Sequence, residues 1–462
     1  MNASMMRIQG HWRPSRIITL WGALALCGCA TFSQDGGFDA VAHATRERLD
    51  KEVRWARSSE EKAKIDRQVA QLLLQPLSVD DAVQIALLNN GALQASCQQL
   101  GISEADLVQS GRLPNPRFTM RHASAAGEYD IEETLSLNVL ALLTIPYAHE
   151  IEKHRFAEAQ GAAVVSIVGL ADRTREAYLT ALAAGESARY LDQVKSAAEA
   201  GAELARRMRA AGNWNRLDEA RERGFYLDAV SGSARAQLAQ RIARENLSEL
   251  LGVAGEQAEF RLAERLPDLP RTIETLADVE HAGLQDRIDL KMRRARIDEL
   301  AGNLHLTKAT RFVNVLDAGP VRVRQGTATE PYETGYEVSL EVPIFDTGAA
   351  RVRRAEAVYA QAVAGYGQAA IEARSEVRKA YERYRAAFEM AARERDEILP
   401  LRTSIEEEDL RRYNAGQISI FDLLADARAR IEGVNDYIQS VRDFWIAKSA
   451  LDTSLIGDPR QR

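Results

Sequence analysis

A chain of 462 residues, 46% hydrophobic and 27% charged, has the apolar mass for a large buried core and none of the bias of a disordered or collagen-like protein. Three cysteines exclude a disulfide-stapled scaffold, and a formal net charge of −7 disfavours nucleic acid as a partner. Length alone suits two or three domains.

The N-terminus carries Arg7, Arg13 and Arg16, then an apolar stretch from Ile17 to Leu26, then Leu26-Cys27-Gly28-Cys29. A positive region, a short apolar core and a small-residue site are the parts of a secretory signal, and the apolar stretch is too short for a helix that crosses a bilayer, which needs about 20 residues. The four-residue string resembles the lipobox of bacterial lipoproteins. That resemblance implies cleavage before Cys29, acylation of its thiol and new amino group, and, with Ala30 next, an outer-membrane address. Residues 1–28 are then a lipoprotein signal peptide whose loss makes the chain three charges more negative, and Cys97 is left as the only free thiol. Residues 29–76 form an N-terminal extension that reads as helical, with charged stretches at Arg46-Glu47-Arg48 and Glu60-Glu61-Lys62.

From Leu77 onward, prolines divide the chain, because a proline inside a helix costs about 3 kcal/mol and proline-free runs are therefore permissive for helix. A first repeat, 77–267, reads as a helix, a β-hairpin over 117–143 and a helical hairpin over 147–252. Its strand from Ile131 to Leu142 sets Leu135, Leu137, Val139 and Ala141 against Thr134, Ser136 and Asn138, a period of two. Arg117 to Ala123 is its weaker partner. The helical hairpin turns at Ala211-Gly212-Asn213, which suits a left-handed cap; its first arm, if helical from Tyr147, would be about 100 Å long.

A second repeat, 268–458, reads as a helix, a β-hairpin over 311–342 and a helical hairpin over 344–457, followed by a tail at 459–462. Tyr336, Val338, Leu340 and Val342 alternate with Glu337, Ser339 and Glu341, with Phe312 to Val323 as the weaker partner. Val363, Ala370, Val377 and Tyr384 recur every seven residues with Tyr366, Ala373, Ala380 and Ala387 between them, a heptad seam. After Pro400 a narrow stripe of Ile431, Val434, Ile438, Val441 and Trp445 runs down the last helix, beyond a turn at Asn414-Ala415-Gly416. The halves correspond in order: Pro146 with Pro343, Tyr178 with Tyr381, Gly212 with Gly416, and Asp218 with Asp422. The fold class is thus mainly α with a small β part, duplicated, with coiled-coil helical hairpins and four strands per chain.

Strands with one apolar and one polar face suit a soluble sheet or a barrel wall; the lipoprotein signal favours the barrel. Four strands cannot close by themselves, since bare edges are not tolerated in lipid and the smallest barrels have about eight strands, so three chains would be needed for a twelve-stranded barrel.

Several stretches together resemble the TolC-like outer-membrane efflux family over nearly all of Leu77 to Asp458: the run from Leu77 to Asn90, Gly111-Arg112-Leu113-Pro114-Asn115-Pro116, Val342 to Gly348 with Arg351, and Arg412 to Gly416 leading to Asp422. One departure is Gly91-Ala92, where many members have a proline after the two asparagines. The resemblance implies a homotrimer, an α-helical barrel across the periplasm, outer-membrane lipid around the strands, and docking through a periplasmic adaptor onto an inner-membrane transporter of the RND type. It places a periplasmic gate at Tyr413, Gly416, Phe421 and Asp422, and gives the matching turn, Gly212, Asn213, Trp214 and Asp218, to adaptor contact or packing. Pro114, Pro116, Pro146 and Pro343 fall at strand–helix junctions. Asp422 has two readings here: a ring of three carboxylates that repel one another, or the start of the returning helix, where acids are favoured; Asp426 lies close by.

A passive duct needs no nucleophile, so no enzyme, cofactor or metal site is expected. His149 and His154 mimic a zinc helix but stand five apart rather than four, and Gly365-Tyr366-Gly367 mimics a dinucleotide loop inside the heptad run. Two non-channel readings stay open: a periplasmic coiled-coil structural lipoprotein, which has no use for four alternating strands, and the adaptor itself.

Overall fold

A computed structural model describes residues 31–273, 287–327 and 329–457. Among these, α1 (Phe38–Leu49), α2 (Ser59–Leu73), α3 (Val79–Asn89) and α4 (Gly91–Ser110) precede the first hairpin, β1 (Arg117–Ala125) and β2 (Glu128–Asn138). Then follow α5 (Val139–Ala210), α6 (Arg216–Leu251) and α7 (Ile288–Ala309), the strands β3 (Leu316–Gly326) and β4 (Glu333–Leu340), and the helices α8 (Ala349–Arg393), α9 (Leu399–Asn414) and α10 (Ile420–Ile456). Cys29 and the signal peptide lie outside the described residues, as does the tail. No described helix is long and apolar enough to cross a membrane.

The chain divides into two compact units, the first comprising residues up to Gly37, Gly101–Ala157 and Ala295–Val363. This unit holds the sheet, antiparallel in the order β1-β2-β3-β4, so that β1 and β4 are its edges. The register pairs Phe118 with Leu135, Ala318 with Leu137 and Val338, and Leu316 with Leu340. By alternation all of these share one face, while Thr119, Arg121, Glu132, Thr134, Ser136, Glu337 and Ser339 share the other. The first of these faces is exposed at its edges, Tyr336 by 85%, Phe118 by 62% and Val338 by 59%, while Ile131 on it is buried and Glu133 pairs there with Arg322 at 4.0 Å. On the polar face Arg121 pairs with Glu132 at 2.9 Å and Thr134 Oγ1 donates to Glu337 at 3.3 Å, reaching across β3 where Gly319 has no side chain. A Cβ on Gly319 would lie 1.8 Å from the Leu135 carbonyl oxygen.

Four sequence expectations shift. The strand read as ending at Leu142 stops at Asn138, whose Oδ1 accepts from the Ala141 amide at 2.6 Å and caps α5; Leu140 to Leu143 are good helix formers with an N-cap before them, and they follow it. Pro146 is consequently not a junction but a residue inside α5, one that leaves the Leu142 carbonyl without its usual helical donor. In the second hairpin the strands run from Leu316 and to Leu340 rather than from Phe312 and to Val342. Finally, Pro400 does not divide the last hairpin: a π-turn, Glu394–Ile398, joins α8 to α9, with the Leu399 amide donating to the Glu394 carbonyl. The wider turn is a place where the ladder already skips a bond, which accommodates a proline two residues on.

Pro343 lies in the segment 341–348 between β4 and α8, and Pro114 and Pro116 precede β1. The Val342-to-Gly348 motif is tied down beside that sheet. Asp346 Oδ1 accepts from the Gly348 amide at 2.8 Å, Arg351 Nη2 donates to Asn314 Oδ1 at 2.5 Å, and Asn314 Nδ2 donates to Glu341 Oε1 at 2.9 Å.

The second unit, Phe38–Leu100, Glu158–Arg294 and Ala364 onward, contains the main core. Apolar faces of α1 to α3 (Phe38, Val41, Ile65, Val69, Ile85, Leu88) pack with Ile167, Leu170 and Leu182 of α5, Leu247 and Leu251 of α6, and Ile438 and Val441 of α10. Burial of a large aliphatic side chain contributes about 1.5–3 kcal/mol, so the N-terminal extension is an integral part of this core. The two asparagines before Gly91 mark a helix boundary and also close α6: Asn89 Nδ2 donates to the Gly252 carbonyl at 2.7 Å and Asn90 Nδ2 to that of Leu250 at 3.0 Å. The heptad seam of α8 buries Ala373, Val377, Ala380, Tyr384 and Ala387, with Tyr384 stacked on Phe444 of α10 at 5.4 Å; Val363, at the start of the seam, is exposed.

Arg287 is fully buried, and its guanidinium donates to Asp289 at 2.8 Å, Glu376 at 2.8 Å and the Ser454 carbonyl at 2.7 Å. Removal of one partner from such a group costs about 3–5 kcal/mol.

Gly319→Ala should separate β2 from β3 and open Arg322 and Arg324 to trypsin, whereas Gly335→Ala, whose new Cβ meets only Val321 Cγ1 at 3.5 Å, should not. Equal trypsin resistance of the two variants would contradict this register.

Candidate functional site: the two hairpin turns

Both helical hairpins close with the same chemistry. At the end of α9 the Gly416 amide donates to the Tyr413 carbonyl and the Gln417 amide to that of Arg412, each at 2.9 Å, with Gly416 at φ +69°. At the end of α5 the Gly212 amide donates to Arg209 and the Asn213 amide to Met208, again at 2.9 Å, with Gly212 at φ +81°. These are paired helix-terminating bonds around a left-handed residue, a conformation that glycine adopts at little cost.

The returning helices start alike. Ser419 caps α10: its Oγ accepts from the Asp422 amide at 3.3 Å, and Asp422 Oδ2 accepts from the Ser419 amide at 3.1 Å. Asn215 caps α6 by accepting from the Leu217 amide at 2.8 Å and the Asp218 amide at 2.9 Å, and its Nδ2 donates to Asp218 Oδ2 at 2.7 Å. Within one chain Asp422 is therefore the third-position member of a capping box, and its hydrogen bonds from the Ser419 hydroxyl and amide hold its carboxyl below the ordinary range. The caps Ser419 and Asn215 were not singled out in the sequence, although Ser-x-x-Asp and Asn-x-x-Asp, each three residues after a turn glycine, are the patterns that mark them.

Tyr413 is 37% exposed in the last turn of α9, Asp422 is exposed, and the backbone of Phe421 lies in the first turn of α10, its side chain being outside the described set. In the first turn Asn213 is exposed, and Trp214 and Asp218 are half-buried.

One turn further along the second hairpin an acid pair spans the two helices. Asp426 of α10 shares a hydrogen bond with Asp409 of α9, and that bond, with desolvation and the nearby charges of Asp409 and Asp422, raises the Asp426 carboxyl above the ordinary range. A negative charge on Asp426 is therefore disfavoured by the acid beside it. Beyond this pair lies Arg428, over the Phe225 ring of α6 at 4.3 Å and 3.9 Å from the buried Glu222; Arg430 pairs with Glu406. Burial raises the Glu222 carboxyl, and Arg428 opposes this. Glu222 and Asp409 were both missed in the sequence, since nothing local distinguishes them from other helix-surface acids.

Long paired helices that close on glycine turns, combined with a four-stranded antiparallel sheet, define the fold of the TolC-like outer-membrane channels. No protein-family model matches the chain, and no curated protein matches it in sequence. Among solved structures, the outer-membrane channel OprN superposes with a TM-score of 0.68 at 18% identity, covering 93% of this chain and 98% of that one. CusC, whose crystal structures concern folding and transmembrane channel formation, gives 0.70 at 16% identity over 82% and 92%. The open-state MtrE outer-membrane channel of Neisseria gonorrhoeae gives 0.65 at 17% over 82% and 89%. These neighbours are channel proteins rather than enzymes.

Asp426→Asn should raise the melting temperature at pH 7, by on the order of 1 °C. Ionisation of Asp426 opposes folding, so the gain belongs to pH above its raised folded value and should vanish in acid below the ordinary carboxylate range. A variant less stable than the parent at pH 7 would show that the pair stabilises the hairpin. Gly416→Ala meets no atom within 4 Å but must hold a left-handed conformation, so it should cost about 1 kcal/mol, read as a lower denaturant midpoint.

Proposed function

We propose that this chain is the outer-membrane exit channel of a tripartite efflux or secretion pump, passively conducting substrates out of a periplasm-spanning tube. The observation that carries the reading is the sheet: four strands with two unpaired edges and exposed apolar side chains on both edge strands, Phe118, Tyr336, Val338 and Leu340, that share one face. In water such a face would need a cover; in lipid it is the outer surface of a barrel. Barrel closure requires further copies, and a homotrimer supplies twelve strands. The non-channel alternatives, a coiled-coil lipoprotein or an adaptor, leave both the sheet and the fold likeness without a purpose.

In this reading the α5–α6 and α8–α10 hairpins line the periplasmic tube. The turn at Tyr413, Gly416, Phe421 and Asp422 narrows its end, with Asp409 and Asp426 just behind. The turn at Gly212, Asn213, Trp214 and Asp218 meets a periplasmic adaptor that couples the duct to an inner-membrane transporter of the RND type. Cys29, acylated after signal cleavage, adds a lipid anchor to the hold that the strands have on the outer membrane.

The purified protein, reconstituted in planar bilayers, should give stable unitary conductance steps from an oligomer of three chains; a monomer without channel activity would refute the assignment. Cys29→Ser, exported by a cleavable signal without a lipobox, should lose outer-membrane yield yet keep the unitary conductance of the molecules that assemble. Assembled trimers that do not conduct would show that the lipid belongs to the pore rather than to its delivery.

A further inference from the structure

The sheet face that carries Phe118, Leu135, Val338 and Leu340 changes character along its length. Towards the strand ends that join the helices its rows are apolar: Leu316 pairs with Leu340, Ala318 with Val338, and Pro320 with Tyr336. From the next row towards the hairpin turns, Glu133 pairs with Arg322 and Ile131 with Arg324, with Met120 and His122 beside them on β1. Both guanidiniums gather on one ring, Arg322 Cζ 4.9 Å and Arg324 Cζ 4.8 Å from the centre of Tyr332. Across β1 and β2, His122 stacks on Tyr129 at 5.9 Å. All of these residues belong to the first unit.

The arrangement has a direction. Arg322 pairs in register with Thr334, yet its guanidinium reaches Tyr332, so the side chain leans towards the turn. That side chain is 57% exposed, and Glu133 stands 4.0 Å from its Nη1, beyond hydrogen-bond reach. A guanidinium held over a ring keeps its N–H donors at its rim. Arg322 and Arg324 lie six and eight residues beyond Leu316, about 20 and 26 Å along the strand, or roughly 15 and 20 Å of height once the strand tilt of a barrel is allowed for. The apolar band of an outer-membrane barrel is about 25 Å tall and is bordered by aromatic residues; an arginine is costly at its middle and nearly free at its border. Tyr129, Tyr332 and two arginines that lean away from the apolar rows have the character of that border.

We infer that Arg322 and Arg324, held on Tyr332, bind the phosphate groups of an outer-leaflet lipid whose acyl chains lie along the apolar rows below. The inference rests on the exit-channel reading, in which those rows face lipid and the helical arms lie in the periplasm, so that the hairpin turns face the cell exterior. Guanidiniums recognise phosphate through charge and parallel N–H···O bonds, a chemistry that a headgroup without phosphate cannot offer. The basic pair is continuous with the exposed side chains of Tyr336, Val338 and Leu340. That continuity selects a lipid over free phosphate, because one molecule then meets both the charge and the apolar rows.

The test titrates the purified full-length protein in detergent with lipid A, which carries phosphate, and counts bound lipid by native mass spectrometry, with conductance in planar bilayers recorded in parallel. Lipid A should be retained, its dephosphorylated form about tenfold less, and excess inorganic phosphate should not displace it. Arg322→Gln combined with Arg324→Gln should lower retention about tenfold while unitary conductance is unchanged. Tyr332→Ala, which keeps both charges and removes their platform, should lower it about threefold. Arg121→Gln, on the opposite face of the same sheet, should leave it unchanged. Equal retention by the glutamine pair, or of the dephosphorylated lipid, overturns the phosphate site and leaves the channel intact, and displacement by inorganic phosphate overturns the choice of a lipid. Loss with Arg121→Gln but not with the glutamine pair would turn the polar face towards lipid, and a parent protein that does not conduct overturns the exit-channel reading itself.

Discussion

The constraint from which the rest follows is that a four-stranded sheet with two open edges and apolar side chains exposed along them needs a cover. Its β1 and β4 edges carry unpaired backbone donors and acceptors, and Tyr336, Val338, Leu340 and Phe118 present their side chains outward. Unpaired backbone in lipid costs several kcal/mol per group, and exposed edges in water invite aggregation. Assembly with further copies in a membrane, as proposed, would relieve both problems at once. Gly319 is the internal counterpart of this constraint: it lets β2 and β3 approach closely enough for Thr134 to reach Glu337 over the intervening strand.

The helical hairpins solve a different problem, the closure of long two-helix arms without a large loop. Each arm ends in a glycine with two carbonyl-capping bonds, and each return begins with a polar cap three residues later. The second turn departs from the first in what lies behind it. There Asp409 and Asp426 set two acids against each other on the seam between the two helices, whereas the first turn is braced by the Arg209–Glu219 ion pair. Two turns of one geometry thus differ in electrostatic character, and only the second has acids that compete with one another.

Periodicity made much of this legible in sequence. The heptad seam of α8, the stripe of α10, the turn glycines and the alternation of β4 all come from local patterns, and the structure has them. Boundaries were less visible, because they depended on single capping atoms. Asn138 read as one more polar residue of a strand, and only its hydrogen bond to the Ala141 amide shows it to be the start of α5. Groups joined across long sequence separations were invisible: Arg287 meets Glu376 and Ser454, and Asp426 meets Asp409 only because the helices fold back on each other. The prolines misled in two places. Pro146 lies within α5, and Pro400 follows a π-turn that carries the helix past it.

That π-turn, Glu394–Ile398, also sets a direction. One residue inserted into an α-helix advances everything beyond it by about 100° around the axis, since a turn takes 3.6 residues. Before it, α8 buries a regular seam that ends at Ala391; after it, α9 has no fully buried residue. The turn is therefore a phase shift written into the coil. The compass bearing of Asp409, and of the turn at Tyr413 beyond it, depends on the number of residues between Ala391 and Leu399 as much as on their identity.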